Sequence, residues 1–194
     1  MQNVDNSGPV DKQINIGDNS GPIYLEKQSK FSRLFSKLNS EVISNDRYPQ
    51  ILEELQRYLT DKDSYGLEKK LIDGGFSEQE IIKASDRKEM YVKKQEKNIL
   101  YVSAQRIYCE LLAKIMIDFE VYIDPLINRG ETKEVILKEI SEKVINPMFS
   151  LLNENAADDE VLYFNAEEIY GMIYYLTGRC HLNWKNYDSI SPSI

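Results

Sequence analysis

The residue types of this chain that could do chemistry gather near its C-terminus. The stretch Gly171-Met172-Ile173-Tyr174-Tyr175-Leu176-Thr177-Gly178-Arg179-Cys180-His181-Leu182-Asn183-Trp184 holds the single histidine, the single tryptophan and one of the two cysteines. A thiol beside an imidazole raises two chemistries, a nucleophile with its base or a pair of soft metal ligands. Neither finds the partners it needs. Sequence neighbours on a turn do not point at one another, and nothing marks a third, orienting group. Cys109, the other thiol, stands at no recognisable zinc spacing. His181 is therefore expected to be a packed or surface histidine that hydrogen-bonds a helix end.

The element that must position these residues is a helix. Ile169, Met172, Ile173 and Leu176 fall at i, i+3, i+4 and i+7, the buried stripe of an amphipathic helix starting at Ala166. Gly178 is expected to stop it by taking the left-handed conformation. Beyond it Trp184 is expected to fold back onto the stripe with its indole N–H near solvent. Enzyme chemistry elsewhere is no better supported. There is no phosphate-binding glycine loop ending in Gly-Lys-Ser/Thr and no His-Glu-x-x-His. Adjacent carboxylates such as Glu53 with Glu54, or Asp158 with Asp159, read as solvated acids. The expectation is a protein that is not an enzyme and uses no cofactor and no metal.

The stretch from Gly171 to Trp184, together with Ile51-Leu52-Glu53-Glu54-Leu55-Gln56-Arg57-Tyr58-Leu59 and Ser103-Ala104-Gln105-Arg106-Ile107-Tyr108, resembles the helical module of bacterial ABC-three-component systems. The resemblance covers residues 46–185. It implies an interaction module of antiphage or antiplasmid defence, encoded beside an ABC or SMC-like ATPase, with no catalytic residues of its own. Many relatives carry a separate effector domain, whereas this chain has a short polar head, which favours an adaptor between the ATPase and an effector protein.

Composition sets bounds on the alternatives. The chain has 194 residues, enough for one domain with a real core. Hydrophobic residues at 42% and charged residues at 29% are a globular balance. A net charge of −8 argues against broad binding to nucleic acid, which needs clustered Lys and Arg to displace phosphate counterions; nucleic acid is expected to be met only indirectly. Two distant cysteines suit a reducing cytoplasm. The start has neither a basic n-region nor an apolar core for a signal peptide. The most apolar stretch, Ile99 to Ile127, is broken by Arg106, Glu110, Lys114 and Asp118, so no membrane span is expected.

Residues 1–28 form a polar head. Asp5-Asn6-Ser7-Gly8-Pro9-Val10 recurs as Asp18-Asn19-Ser20-Gly21-Pro22-Ile23, 13 residues on. Asn-Ser-Gly-Pro is turn chemistry, and Ile14, Ile16, Ile23 and Leu25 alternate with polar or aromatic neighbours at the period of a strand. Two short strands bury too little alone, so this β-like appendage is expected to assemble copies of the chain into a homo-oligomer. A connecting helix follows over 29–45, then a helical interaction domain over 46–187 and a tail over 188–194.

The domain reads as helix after helix. Asp46 and Pro49 suit a helix start, with Ile51, Leu55, Tyr58 and Leu59 on one face. A short helix from about Leu67 to Ile72 ends at Gly74-Gly75. Ser77 and Glu80 have capping-box spacing, and the pattern they open runs to Ile127 with a break near Asn98. Its second part sets Leu100, Ala104, Ile107, Leu111, Ile115 and Phe119 on one side, with Tyr108, Leu112 and Met116 widening the stripe to that of a bundle centre. Pro125 and Gly130 are expected to end it, Thr132 to cap the next helix with Ile136, Ile140 and Val144 inward, and Pro147 to interrupt that helix. The fold class is all-α, a helical bundle.

Three surfaces are candidates for partner binding. The first is the C-terminal stretch itself, through Tyr170, Tyr174, Arg179, His181 and Trp184, tyrosine being rich in contact area for little entropy loss. The second is the acidic run 153–168, through Asp158 and Asp159. The third, Arg87 to Lys97, is locally basic but interleaved with glutamates. A second function class fits the acidic run: a freestanding antitoxin or immunity-type helical protein that neutralises a toxic enzyme.

Overall fold

Helix starts are fixed where a side chain satisfies the first free N–H groups. The computed structural model describes residues 28–156 and 159–187, and among these every regular element is helical, with no strand. The β-like appendage with Ile14, Ile16, Ile23 and Leu25, the acidic Asp158 and the tail from 188 lie outside the described residues. Helix α1 spans Lys30–Ser44 and is capped by the Ser29 hydroxyl, which accepts from the Ser32 N–H at 2.9 Å. Helix α2 is Glu53–Leu59 and α3 is Leu67–Asp73. Helix α4, Glu78–Asn98, opens on the full capping box of Ser77 and Glu80. Lys133 adds a second partner to that carboxylate; this pairing, and then the Ser77 backbone and hydroxyl, hold the Glu80 acid at about 2.

The expected start of α2 at Asp46 to Pro49 is replaced by a stretched linker. Its backbone bonds go to a neighbour rather than to a helix: the Tyr48 N–H reaches the Leu100 carbonyl. Gln105, fully buried, accepts from the Leu52 N–H at 2.7 Å and donates to the Gln50 and Ile99 carbonyls at 2.9 and 2.8 Å. Gln105 belongs to α5, Val102–Asp118. Its N-terminus is capped from afar, since buried Glu41 of α1 accepts from the Ser103 N–H and hydroxyl at 2.9 and 2.8 Å. Phe35 and Leu38 of α1 are buried, and α1 packs along α5.

Pro125 does not end the helix. After Asp118 the chain enters a π-helical segment, Phe119–Ile123, and continues as α6, Asp124–Asn128. The same device recurs. Helix α7, Lys133–Glu139, is capped by Thr132 and passes through a second π segment, Ile140–Ile145, into α8, Asn146–Asn155, which carries Pro147 in its first turn. A proline inside a regular α-helix loses one hydrogen bond and collides with the carbonyl four residues back. The i to i+5 ladder just ahead of it, seen in the Asp124 N–H bonding the Phe119 carbonyl and the Asn146 N–H bonding the Ser141 carbonyl, relocates those carbonyls. Phe119, Ile123, Ile140, Val144 and Ile145 are buried, and the two π segments pack against each other.

The last helix, α9, spans Ala166–Gly178 under a second capping box, Asn165 with Glu168. It is buried nearly all round, including Gly171, Tyr174, Tyr175 and Thr177 beside the apolar stripe. Helices α4 and α9 form the most extensive helix contact among the described residues, and Gly171 is where they cross. A Cβ there would stand 2.4 Å from the Arg87 carbonyl oxygen and 2.9 Å from the Tyr91 Cβ. A methyl group can enter only by parting two helix backbones.

Gly171→Ala tests this crossing. In an open helix the exchange stabilises by roughly 1 kcal/mol; here it should destabilise by about 1–3 kcal/mol through overpacking, read as a lower urea midpoint. An equal or higher midpoint would show that the backbones can part freely.

Candidate functional site

Helix α9 ends in a backbone motif that sets the direction of the outgoing chain. The Cys180 N–H bonds the Thr177 carbonyl at 3.0 Å and the His181 N–H bonds the Leu176 carbonyl at 2.8 Å, the paired bonds of a Schellman ending. The left-handed residue is Cys180, at φ 64°, and not Gly178, which stays helical. A Cβ on Gly178 would lie 3.1 Å from the Lys88 Nζ, a close approach that a small shift of the flexible lysine end relieves.

Past the turn the chain returns along α3. The buried Lys70 ammonium donates to the Asn183 Oδ1 at 2.7 Å and to the Leu182 carbonyl at 3.4 Å, and pairs with Asp63 at 3.2 Å. This clamp delivers Trp184 to the interior. Its ring meets Phe76 edge-on at 4.8 Å and Phe119 at 5.8 Å, and stacks on Tyr174 at 6.3 Å. Its Cβ occupies the space that a Cβ on Gly74 would need, 2.6 Å away. The indole N–H does not face solvent: it donates to the Thr177 Oγ1 at 3.0 Å, and that hydroxyl donates to the Ile173 carbonyl at 2.9 Å. A buried indole must find such a partner or lose a hydrogen bond outright.

The candidate partner-binding residues therefore separate. Tyr174 and Trp184 are interior residues, because α9 is covered by α4 on one side and by the returning chain on the other. Asp159 is interior as well. Its carboxylate accepts from the N–H groups of Val161, Leu162 and Tyr163 at 3.1, 3.1 and 2.9 Å, which spends the charge on a loop. Tyr170, Arg179 and His181 remain half-buried at the surface. The Arg87 guanidinium lies over Tyr170 at 4.9 Å, and Arg179 pairs with Asp61 at 3.1 Å.

The chemistry on offer is structural. The Cys180 thiol donates to the Tyr65 carbonyl, and burial raises its pKa. Burial pushes the half-buried Cys109 up to about 11. A thiol held protonated is a poor nucleophile. His181 tilts against Tyr58 at 5.8 Å, and it is its backbone N–H, not its ring, that closes the helix. Burial, then the Lys62 charge, lowers its pKa, with the Thr60 backbone opposing. Among the described residues no group of three or more His, Cys, Asp and Glu is placed to hold a metal ion, and no helix is long and apolar enough to cross a membrane. The basic stretch on α4 has partners: Arg87 with Glu167, Lys93 with Glu89 and Lys94 with Glu168. Sequence reasoning did not single out Lys70, Thr177 or Gly171. A glycine inside a strongly apolar helical pattern is the one signal that pointed to the last of these.

Residues 66–184, which run from the N-cap of α3 to Trp184, match the family model of C-terminal domain 9 (CTD9) of the ABC-three component (ABC-3C) systems. No curated protein and no solved structure matches the chain.

With one histidine in the chain, the imidazole resonance titrates alone. Its midpoint should fall below the ordinary value near 6.5. A base whose folded pKa is depressed adds full stability above the unfolded pKa and loses it as pH falls through the window below. His181→Gln should flatten stability between about pH 7 and 5. A midpoint at or above 6.5 would contradict the burial.

Proposed function

This chain belongs to the CTD9 family of the ABC-three component systems, and from that premise we propose that it is a non-catalytic adaptor of a bacterial antiphage defence complex. It couples an ABC or SMC-like ATPase to an effector protein. The observation that carries the reading is the extent of the family match: residues 66–184 take in α3 to α9 and the returning strap with Trp184, the larger part of the helical body, with α1 and α2 ahead of it. A component of a three-component system works beside other components. The geometry supports a docking body rather than a reaction centre, since the rare residues of the C-terminal stretch close hydrogen bonds and fill the core, and both thiols are held protonated.

The partly exposed rim of Tyr170, Arg179 and His181 is the part of that stretch left for a partner. The pairing of Arg87, Lys93 and Lys94 with carboxylates supports indirect rather than direct contact with nucleic acid. In this reading the N-terminal repeat governs homo-oligomer assembly in the cytoplasm.

The test is affinity recovery of the tagged protein expressed with its flanking genes, followed by native mass measurement. An ATPase recovered in defined stoichiometry is expected. Recovery alone would overturn the reading, and recovery with one small toxic enzyme would replace it with the antitoxin alternative. Deleting residues 1–28 should lower the oligomeric mass while leaving the helical body folded; an unchanged mass would remove the assembly role.

A further inference from the structure

Among the described residues, three other than glycine have positive φ: Asn45, Cys180 and Tyr163. The first two lie at helix C-termini, where this geometry closes the last turn. Tyr163, at φ 40°, lies in the loop between α8 and α9 and has no helix to close. A bulky residue in that region is an outlier that persists only where its surroundings over-determine it. They do so here. Asp159 accepts from the Leu162 and Tyr163 N–H groups, while the Lys94 ammonium donates to the carbonyls of the same two residues. The loop is held on both sides, yet the side chain it presents is 75% exposed, the most exposed aromatic among the described residues.

Tyr163 lines a cleft of about 170 Å³ with Phe149 of α8, itself exposed, and with Phe164, whose ring is fixed edge-on against Tyr108 at 6.2 Å. That volume is below the roughly 300–1,000 Å³ of small-molecule pockets and suits one side chain. The segment around it is rich in carboxylates, with Lys94 of α4 the cation at its loop. Residues 153–168 carry six carboxylates and no Lys or Arg. Asp159 is spent on the loop, Glu167 on Arg87 and Glu168 on Lys94. Glu154 and Glu160, adjacent in sequence to this wall, are exposed and make no ion pair among the described residues. Lys94, the cation beside Phe164, is already engaged. Aromatic faces under negative potential attract a planar, weakly hydrated cation.

We propose that the cleft between Phe149 and Tyr163 receives an arginine side chain from a basic segment of a partner protein. The inference rests on the adaptor reading for the existence of that partner, and its test is independent of it.

The probe is acetyl-Gly-Gly-Arg-Gly-Gly-amide, titrated into the full, isotopically labelled chain and followed through backbone amide resonances. Saturable shifts at Phe149, Tyr163 and Phe164, weakened by salt, are expected. Peptides with Leu or Glu at the centre should bind roughly five- to tenfold more weakly or not at all. Tyr163→Gly removes the ring while suiting the positive φ, so it should fold with an equal or higher Tm and lose roughly five- to tenfold in affinity. Absence of saturable shifts, equal binding of the Leu peptide, or unchanged affinity in the folded Tyr163→Gly chain would each overturn the proposal. If the flanking ATPase is recovered equally well by wild type and Tyr163→Gly while the peptide fails to bind, the adaptor reading stands and the cleft does not. If the peptide binds as expected and no ATPase is recovered, the reverse holds.

Discussion

The structure depends on the close passage of one helix backbone over another at Gly171. Because the Arg87 carbonyl oxygen stands 2.4 Å from where a Cβ on Gly171 would be, α9 approaches α4 more closely than ordinary side chains permit. That approach brings buried tyrosines into one cluster. Tyr91 meets Tyr175 edge-on at 5.2 Å and Tyr108 at 6.0 Å. The Tyr91 hydroxyl accepts from the Gln95 amide at 2.9 Å, and the Tyr108 hydroxyl donates to the Lys94 carbonyl at 3.2 Å. Edge-to-face pairs of this kind add something beyond the area they bury. Tyrosines that would mark an interface on an exposed helix thus form the centre of the domain.

The same crossing sets the electrostatics. Arg87 lies at the contact itself and Lys94 two turns further along α4, and each meets a carboxylate from the first turn of α9, Glu167 and Glu168. Glu168 also completes the capping box of its own helix. Partly exposed pairs contribute little each, but here they do three things at once. They align the helices, favour the positive end of α9 and engage two of the cations in the basic stretch of α4.

Much of the fold is legible in the sequence wherever a local rule is decisive. Ser77 with Glu80, Thr132, the break after Asn98 and the glycines after α3 mark real boundaries. Local rules fail where a distant residue takes over. Pro125 and Pro147 read as terminators because the proline rule assumes an α ladder, and a π segment ahead of each removes the clash. Asp46 and Pro49 resemble a start, but the linker's N–H and carbonyl groups are claimed by Gln105 and Leu100. In the C-terminal stretch the return of Trp184 onto α9 is legible from its apolar stripe. The destination of its N–H is not, since Thr177 is an ordinary helical residue until α3 and Lys70 press the strap against it. Asp159 reads as surface acid because nothing local announces three N–H groups waiting for it.

The two π segments have a further consequence, one of rotational register. Each is in effect a single-residue insertion into an α-helix, and one residue corresponds to about 100° of turn. Ile127 on one path, and Met148 and Leu152 on the other, face the core only because that extra rotation has been taken upstream. Loss of one residue within 119–123 or 140–145 would put the following proline back on an α ladder and swing every later side chain away from its seat. Since the two segments pack on each other, the rotation taken in one is matched to the rotation taken in the other.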